Sequence, residues 1–177
     1  MSLINVQNLT FGYYGASKNV FENVSFAIDT DWKTGFVGRN GRGKTTFLDL
    51  LTGKYEYSGK ISASVKFTYF PFALKDESGL VQDVLRQVCP MAEEWEILRE
   101  FSYLDLSPEI PYREYASLSS GEKTKALLAG LFLNDGEFLL IDEPTNHLDS
   151  AARKTVAEYL RGKKSFLLVS HDRAFLD

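Results

Sequence analysis

The chain has 177 residues, 44% of them hydrophobic and 25% charged, with a formal net charge of -4. This is the composition of an ordinary soluble globular chain of about one domain, and the acidic balance excludes a domain-wide basic surface for nucleic acid. Cys89 is the single cysteine, which excludes an internal disulfide or a cysteine-rich metal site and suits the cytoplasm, while the longest apolar stretches, such as Ala126 to Leu133, fall well short of the roughly 20 residues that span a bilayer.

In chain order, Leu3 to Thr10 has strand character, and Val24, Phe26 and Ile28 alternate before an Asp29-Thr30-Asp31 turn. Between them lies a turn, Phe11-Gly12-Tyr13-Tyr14-Gly15. Its Tyr13 either packs, as turn aromatics commonly do, or offers a flat face to a purine. Trp32 to Val37 reads as a buried strand running into Gly38-Arg39-Asn40-Gly41-Arg42-Gly43-Lys44-Thr45-Thr46. That run fits the phosphate-loop pattern G-x-x-x-x-G-K-[ST]. Its glycines allow consecutive N–H groups to face phosphate oxygens, Lys44 reaches the β- and γ-phosphates, and the Thr45 hydroxyl is a Mg²⁺ ligand. A helix from about Lys44, apolar at Phe47, Leu50 and Leu51 and stopped near Gly53, adds the positive end of its dipole. The alternative is a Gly-rich turn that matches by chance, and the strand and helix on either side speak against it.

Ser58-Gly59-Lys60 is expected as a turn, followed by one strand face made of Ile61, Ala63, Val65, Phe67 and Tyr69. Residues 73 to 117 change character. Val81, Val84, Leu85 and Val88 recur at helical spacing up to Pro90, and Met91, Trp95 and Leu98 form a second apolar line beside an acidic, solvated face of Glu93, Glu94, Glu96 and Glu100. This section is expected as a small helical lobe. Further on, Leu127, Leu128 and Leu131 lie on a helix ended by Asn134-Asp135-Gly136, and Val156, Tyr159 and Leu160 lie on another ended near Gly162. Phe138 to Ile141 and Phe166 to Val169 are continuous apolar runs, as in parallel strands covered on both faces. Alternating βαβ units around a phosphate loop imply a mainly parallel sheet with its ligand at the carboxyl ends of the strands.

The chemistry collects at those ends. Asp142 is placed to hold the Mg²⁺ shell, and Glu143 to orient a water in line with the γ-phosphate, although an acidic pair capping the Pro144 turn has the same pattern. His171 stands just past the other buried strand, where an imidazole can meet the γ-phosphate or serve a structural role. Asn146-His147-Leu148-Asp149 nearly fits the N-K-x-D arrangement of guanine-reading GTPases. With His in place of Lys, and following Asp142-Glu143 directly, it reads as a turn with Asp149 as a helix N-cap.

Together with Leu118-Ser119-Ser120-Gly121-Glu122, which is similar to a Leu-Ser-Gly-Gly-Gln signature, these motifs resemble the nucleotide-binding domain of the ATP-binding cassette (ABC) family. The resemblance runs through Tyr13, the phosphate loop, the signature, Asp142-Glu143, Leu148-Asp149 and His171, essentially the whole chain. It implies a phosphate-loop NTPase fold with an N-terminal antiparallel β portion, with residues 1–72 and 118–177 forming the ATP-binding core and 73–117 the helical subdomain. It implies that Tyr13 stacks on adenine, that residues 38–46 hold the phosphates, and that Thr45 and Asp142 serve Mg²⁺. Glu143 is then the catalytic carboxylate, His171 the γ-phosphate switch, and Asp149 part of a dimer-contacting loop. Cassettes of this family pair head to tail, so Ser119, Ser120 and Gly121 act on ATP held by a second cassette.

Two departures stand out. Ser120 occupies a position where Gly is usual, and Phe72 stands where the family normally ends a strand with Gln. Ile141 to Asp149 and Val169-Ser170-His171-Asp172-Arg173 are most similar to the soluble F-subfamily, twin-cassette proteins that act on ribosomes, some of them in antibiotic resistance. The resemblance therefore implies the N-terminal cassette of such a protein. Two other readings stay open: the ATPase subunit of a membrane transporter, and a nucleotide-gated binding module with little turnover.

Overall fold

A computed structural model describes residues 2–39, 41–134, 136–146 and 148–171. The chain forms two compact units, one of residues 1–71, 136–143 and 164–177 and one of residues 72–135 and 144–163. Residues 73–117, the expected lobe, all fall in the second unit, which also takes residues 118–135 and 144–163.

The first unit holds two sheets. Strands β1 (Leu3–Phe11), β2 (Phe21–Asp29) and β4 (Ser58–Ser62) pair antiparallel in the order β2-β1-β4. Strands β3 (Lys33–Val37), β5 (Lys66–Phe70), β6 (Glu137–Asp142) and β7 (Phe166–Ser170) pair in parallel in the order β3-β7-β6-β5. Helix α1 (Lys44–Leu51) brings Phe47, Leu48, Leu50 and Leu51 into one buried cluster with Ile4, Val6 and Leu9 of β1, Phe138 and Leu140 of β6, and Leu167 and Val169 of β7. Phe47 is fully buried, with the rings of Phe21, Phe26 and Phe36 tilted around it. The helix stops where the sequence places its glycine: Thr52 caps it, and Gly53 follows in the left-handed region at φ +73°.

Three strand expectations are corrected. The segment from Trp32 to Val37 is not buried: among the described residues β3 is the end strand of its sheet, its residues are exposed or half-exposed, and Trp32 is 67% exposed. Ser58-Gly59-Lys60 is strand rather than turn. Gly59, at φ +99°, is needed there because a Cβ would come within 2.4 Å of the Asn8 carbonyl oxygen on β1. The single face expected from Ile61 to Tyr69 is divided between β4 and β5, which belong to different sheets. Continuous β alternation cannot reveal a change of sheet, because both halves keep the same period.

The parallel register brings all four strand ends to one edge. Val37 pairs with Ser170, Asp142 with Val169, and Phe70 with Ile141, so Gly38, Pro71, Glu143 and His171 all leave the sheet on the same side.

The second unit is helical, with α2 (Val81–Leu85), α3 (Glu94–Tyr103), two short 3₁₀ turns (Ile110–Tyr112 and Tyr115–Ser117), α4 (Ser120–Phe132) and α5 (Ser150–Gly162). Gly130 lets α2 lie close on α4, since a Cβ there would sit 3.1 Å from Leu85 Cδ2. The apolar line expected at Met91 and Trp95 is exposed instead, by 90% and 56%, while Ile97 and Phe101 make the buried face of α3. Glu93 and Glu96 are spent on a reciprocal capping box at the start of that helix. Glu100, expected on the solvated face, is 3% exposed.

Candidate nucleotide site

The loop after β3 uses its glycines where conformation and space demand them. Gly41 and Gly43 have φ of 77° and 86°, and a Cβ on Gly43 would lie 2.5 Å from Val20 Cγ1. Gly43 is the N-cap of α1, so the positive end of that helix opens onto the loop. Lys44 is only 7% exposed and donates from Nζ to the carbonyls of Gly38 (2.6 Å) and Arg39 (3.3 Å). Gly38 itself needs no left-handed conformation, Arg39 and Arg42 are exposed, and Asn40 lies outside the described residues. Thr46 is buried, and its hydroxyl is 2.8 Å from the Tyr13 hydroxyl. Tyr13 packs edge-on against Phe11 and Tyr55 yet keeps 42% of its surface exposed, so packing and an available aromatic face coexist.

At the tip of β6, Asp142 is 7% exposed. Its Oδ2 accepts from the Thr45 hydroxyl at 2.7 Å and from the Tyr69 hydroxyl at 2.9 Å. Its Oδ1 is buried and has no hydrogen-bond partner among the described residues. A buried carboxylate oxygen without a donor is costly, and a hard divalent cation relieves that cost. The donor set, a carboxylate oxygen beside a threonine hydroxyl, fits Mg²⁺. Tyr69 is held protonated, because burial and then the neighbouring Asp142 charge both raise its pKa.

The next residue, Glu143, sits in the left-handed region at φ 49°, where a non-glycine residue is strained. Its backbone N–H donates to the Val169 carbonyl at 2.9 Å, and its Oε2 lies 2.8 Å from His171 Nδ1. An imidazole nitrogen facing a carboxylate carries the proton, so Nδ1–H donates and Nε2 is left for another partner. The Glu143 side chain is 16% exposed and that of His171 49%. Lys44, Thr45, Asp142, Glu143 and His171 thus gather at the carboxyl edge of one sheet.

In the second unit, Ser119 is the N-cap of α4. Its Oγ accepts from the Glu122 N–H (3.2 Å), and its own N–H donates to Glu122 Oε2 (2.8 Å), which completes a capping box. These Ser119 bonds, with Arg113 at 3.4 Å, hold the Glu122 carboxyl below its usual range. Ser119 and Ser120 are exposed, and Gly121 has room for no more than ordinary contact with Leu148. Asp149 caps α5 as expected, accepting from the Ala152 N–H at 2.7 Å. His147, Asp172 and Arg173 lie outside the described residues.

Sequence reasoning passed over two features. Tyr69 shows only as a strand aromatic, and its reach to Asp142 depends on β5 lying beside β6, which no local pattern reveals. The Glu100 cluster of α3 and α5 is equally silent, since its partners stand 59 and 63 residues away.

This fold and site define a phosphate-loop nucleotide-binding domain. The family model described as ABC transporter matches residues 21–146, and the chain belongs to that family, whose members hydrolyse ATP. ABC transporter F family member 5 of Arabidopsis thaliana is 30% identical over 183 residues, covering 99% of this chain and 26% of that protein. The ribosome protection protein VmlR of Bacillus subtilis is 30% identical over 175 residues, covering 93% of this chain and 28% of that protein. A bacterial Atm1-family ABC exporter with ATP bound shares the fold at a TM-score of 0.81 and 17% identity, covering 99% of this chain and 35% of the exporter. The chain spans less than half the length of the curated relatives it matches. Among the described residues no helix is long and apolar enough to cross a membrane.

Proposed function

We propose that this chain is one cassette of a head-to-tail pair that binds and hydrolyses ATP in the cytoplasm, and that it belongs to a twin-cassette, F-type protein acting on ribosomes. The gathering of Lys44, Thr45, Asp142, Glu143 and His171 at one sheet edge carries the reading. The Lys44 ammonium exchanges the Gly38 and Arg39 carbonyls for β- and γ-phosphate oxygens, Tyr13 stacks on adenine, and the N–H groups of residues 38–46 face the phosphates. Thr45 and Asp142 would hold Mg²⁺, which when bound neutralises charge on the β- and γ-phosphates. Glu143 accepts a proton from the attacking water and aligns it, while His171 holds the Glu143 carboxylate through Nδ1–H and presents Nε2 towards the γ-phosphate. Ser119, Ser120 and Gly121, at an exposed helix N-terminus, serve the ATP held by the other cassette, and Asp149 anchors a loop of the same contact.

The ribosomal assignment rests on the F-family and ribosome-protection relatives. It is also favoured by Phe72 at the usual glutamine position, because the corresponding loop in transporters meets the membrane partner.

Turnover tests the paired site. In the full-length twin-cassette protein, Ser119→Arg should leave ATP binding at the Lys44 phosphate loop unchanged and abolish turnover of the ATP held by the other cassette, and the isolated 177-residue chain should turn ATP over poorly. Brisk turnover by the isolated chain as a monomer, or wild-type turnover in the Ser119→Arg protein, would contradict the pairing. For the ribosome, the full-length protein carrying Glu143→Gln should co-sediment with ribosomes in ATP, and no ATP-dependent co-sedimentation would favour the transporter reading.

A further inference from the structure

Strand β5, which ends at Phe70 two residues before Phe72, reaches the carboxylate of Asp142 through one of its own side chains. Tyr69 lies on β5 opposite Leu140 of β6, two residues before Asp142, and its hydroxyl crosses to Asp142 Oδ2 at 2.9 Å. The same oxygen accepts from Thr45 at 2.7 Å, and Oδ1 accepts from no donor among the described residues. Such an asymmetric carboxylate needs a cause, because the terminal torsion of an aspartate is broad and roughly two-fold, so the two oxygens can exchange places. Thr45 alone is a weak anchor: it is exposed, on a short side chain, and its oxygen is itself wanted by the cation. A phenol on a rigid ring, carried by a hydrogen-bonded neighbouring strand, is a strong one.

We propose that Tyr69 is a positioning residue for the metal site, its hydroxyl pinning Asp142 through Oδ2 so that Oδ1 is kept for the cation. This rests on the reading of Asp142 as the Mg²⁺ carboxylate. Metal ligands are commonly oriented by such outer hydrogen bonds, and their loss costs about 10- to 100-fold in metal affinity. A purely packing role for Tyr69 is the alternative, since its ring also lies against the core of the first unit.

The two roles separate in the coupling between metal and nucleotide. The measured quantity is the ratio of the affinity of the 177-residue chain for a fluorescent ATP analogue in Mg²⁺ to its affinity in EDTA. Tyr69→Phe should lower that ratio about tenfold, the small end of the outer-partner range, while leaving binding in EDTA unchanged. Asp142→Asn, measured alongside, should abolish the Mg²⁺ enhancement. If Asp142→Asn abolishes it and Tyr69→Phe leaves the ratio alone, the Tyr69 proposal is overturned and the metal site stands. If neither variant changes the ratio, the reading of Asp142 fails and the proposal with it. A lowered melting temperature with an unchanged ratio assigns Tyr69 to packing only and also overturns the proposal.

Discussion

Two of the buried carboxylates, one in each unit, are treated in opposite ways. Glu100 of the helical unit is 3% exposed and has both oxygens engaged: Arg99 donates to Oε1 at 3.3 Å, and the Tyr159 hydroxyl (2.5 Å) and Lys163 ammonium donate to Oε2. Lys163 also lies 4.4 Å from the ring centroid of Tyr159 and 5.2 Å from that of Phe132. Asp142 of the nucleotide-binding unit is 7% exposed, and one of its oxygens has no donor among the described residues. A buried charge that closes its own hydrogen bonding ties helices together, whereas one left open is held for a ligand. The difference separates architecture from chemistry without reference to any relative.

The sharpest way to break the comparison is at the reaction itself. Glu143→Gln in the paired protein should slow multiple-turnover ATP hydrolysis about 100- to 10,000-fold, the range for losing a positioned general base, with ATP affinity kept. Near wild-type turnover would remove Glu143 from the mechanism. Lys44→Ala should weaken ATP binding about 100-fold, corresponding to about 3 kcal/mol for lost charge-assisted hydrogen bonds, as read by calorimetric titration. Unchanged affinity would show that the buried ammonium serves only its own loop.

In the other unit the same logic inverts. Glu100→Ala strands Lys163 and should cost about 3 kcal/mol in urea unfolding while leaving ATP affinity alone, and Glu100→Met with Lys163→Met should recover most of the loss. An effect on ATP binding without one on stability would show that Glu100 serves the ligand and not the helices. Burial raises the Glu100 pKa, but the bonds from Lys163 and Tyr159 and the Lys163 charge outweigh it, so the net shift is downward from 4.5. A depressed carboxyl contributes stability above its unfolded pKa and loses it as pH falls through the folded one. The unfolding free energy should therefore decline below about pH 4.5, and less steeply in the double Met variant. The smallest expected effect is that of Asp149→Ala, about 1 kcal/mol for a lost helix cap, measured by thermal melting.

Much of the first unit was legible in the sequence because its signals are local. The glycines and lysine of the phosphate loop and the apolar runs ending at Asp142 and Ser170 each carry their reason within a few residues, as does the Asp149 cap in the second unit. What escaped depends on pairing between distant segments. The change of sheet between Ser62 and Lys66 leaves β alternation unbroken, and nothing local in β3 tells its place in the strand order. The acidic run of α3 reads as solvated because the cation that neutralises Glu100 arrives 63 residues later. Tyr69 is silent for the same reason, since a tyrosine in a strand says nothing of the carboxylate beside it until the strand order is known.

Asp142 and Lys44 must meet the same ligand if this edge of the sheet is the ATP site. A crystal structure of this chain with Mg²⁺ and a non-hydrolysable ATP analogue is the direct test. It should place the β- and γ-phosphates on Lys44 Nζ and the metal beside Thr45 Oγ1 and Asp142 Oδ1, with Tyr69 still on Oδ2. A triphosphate bound away from Lys44, or a metal that leaves Asp142 Oδ1 without a partner, would contradict it.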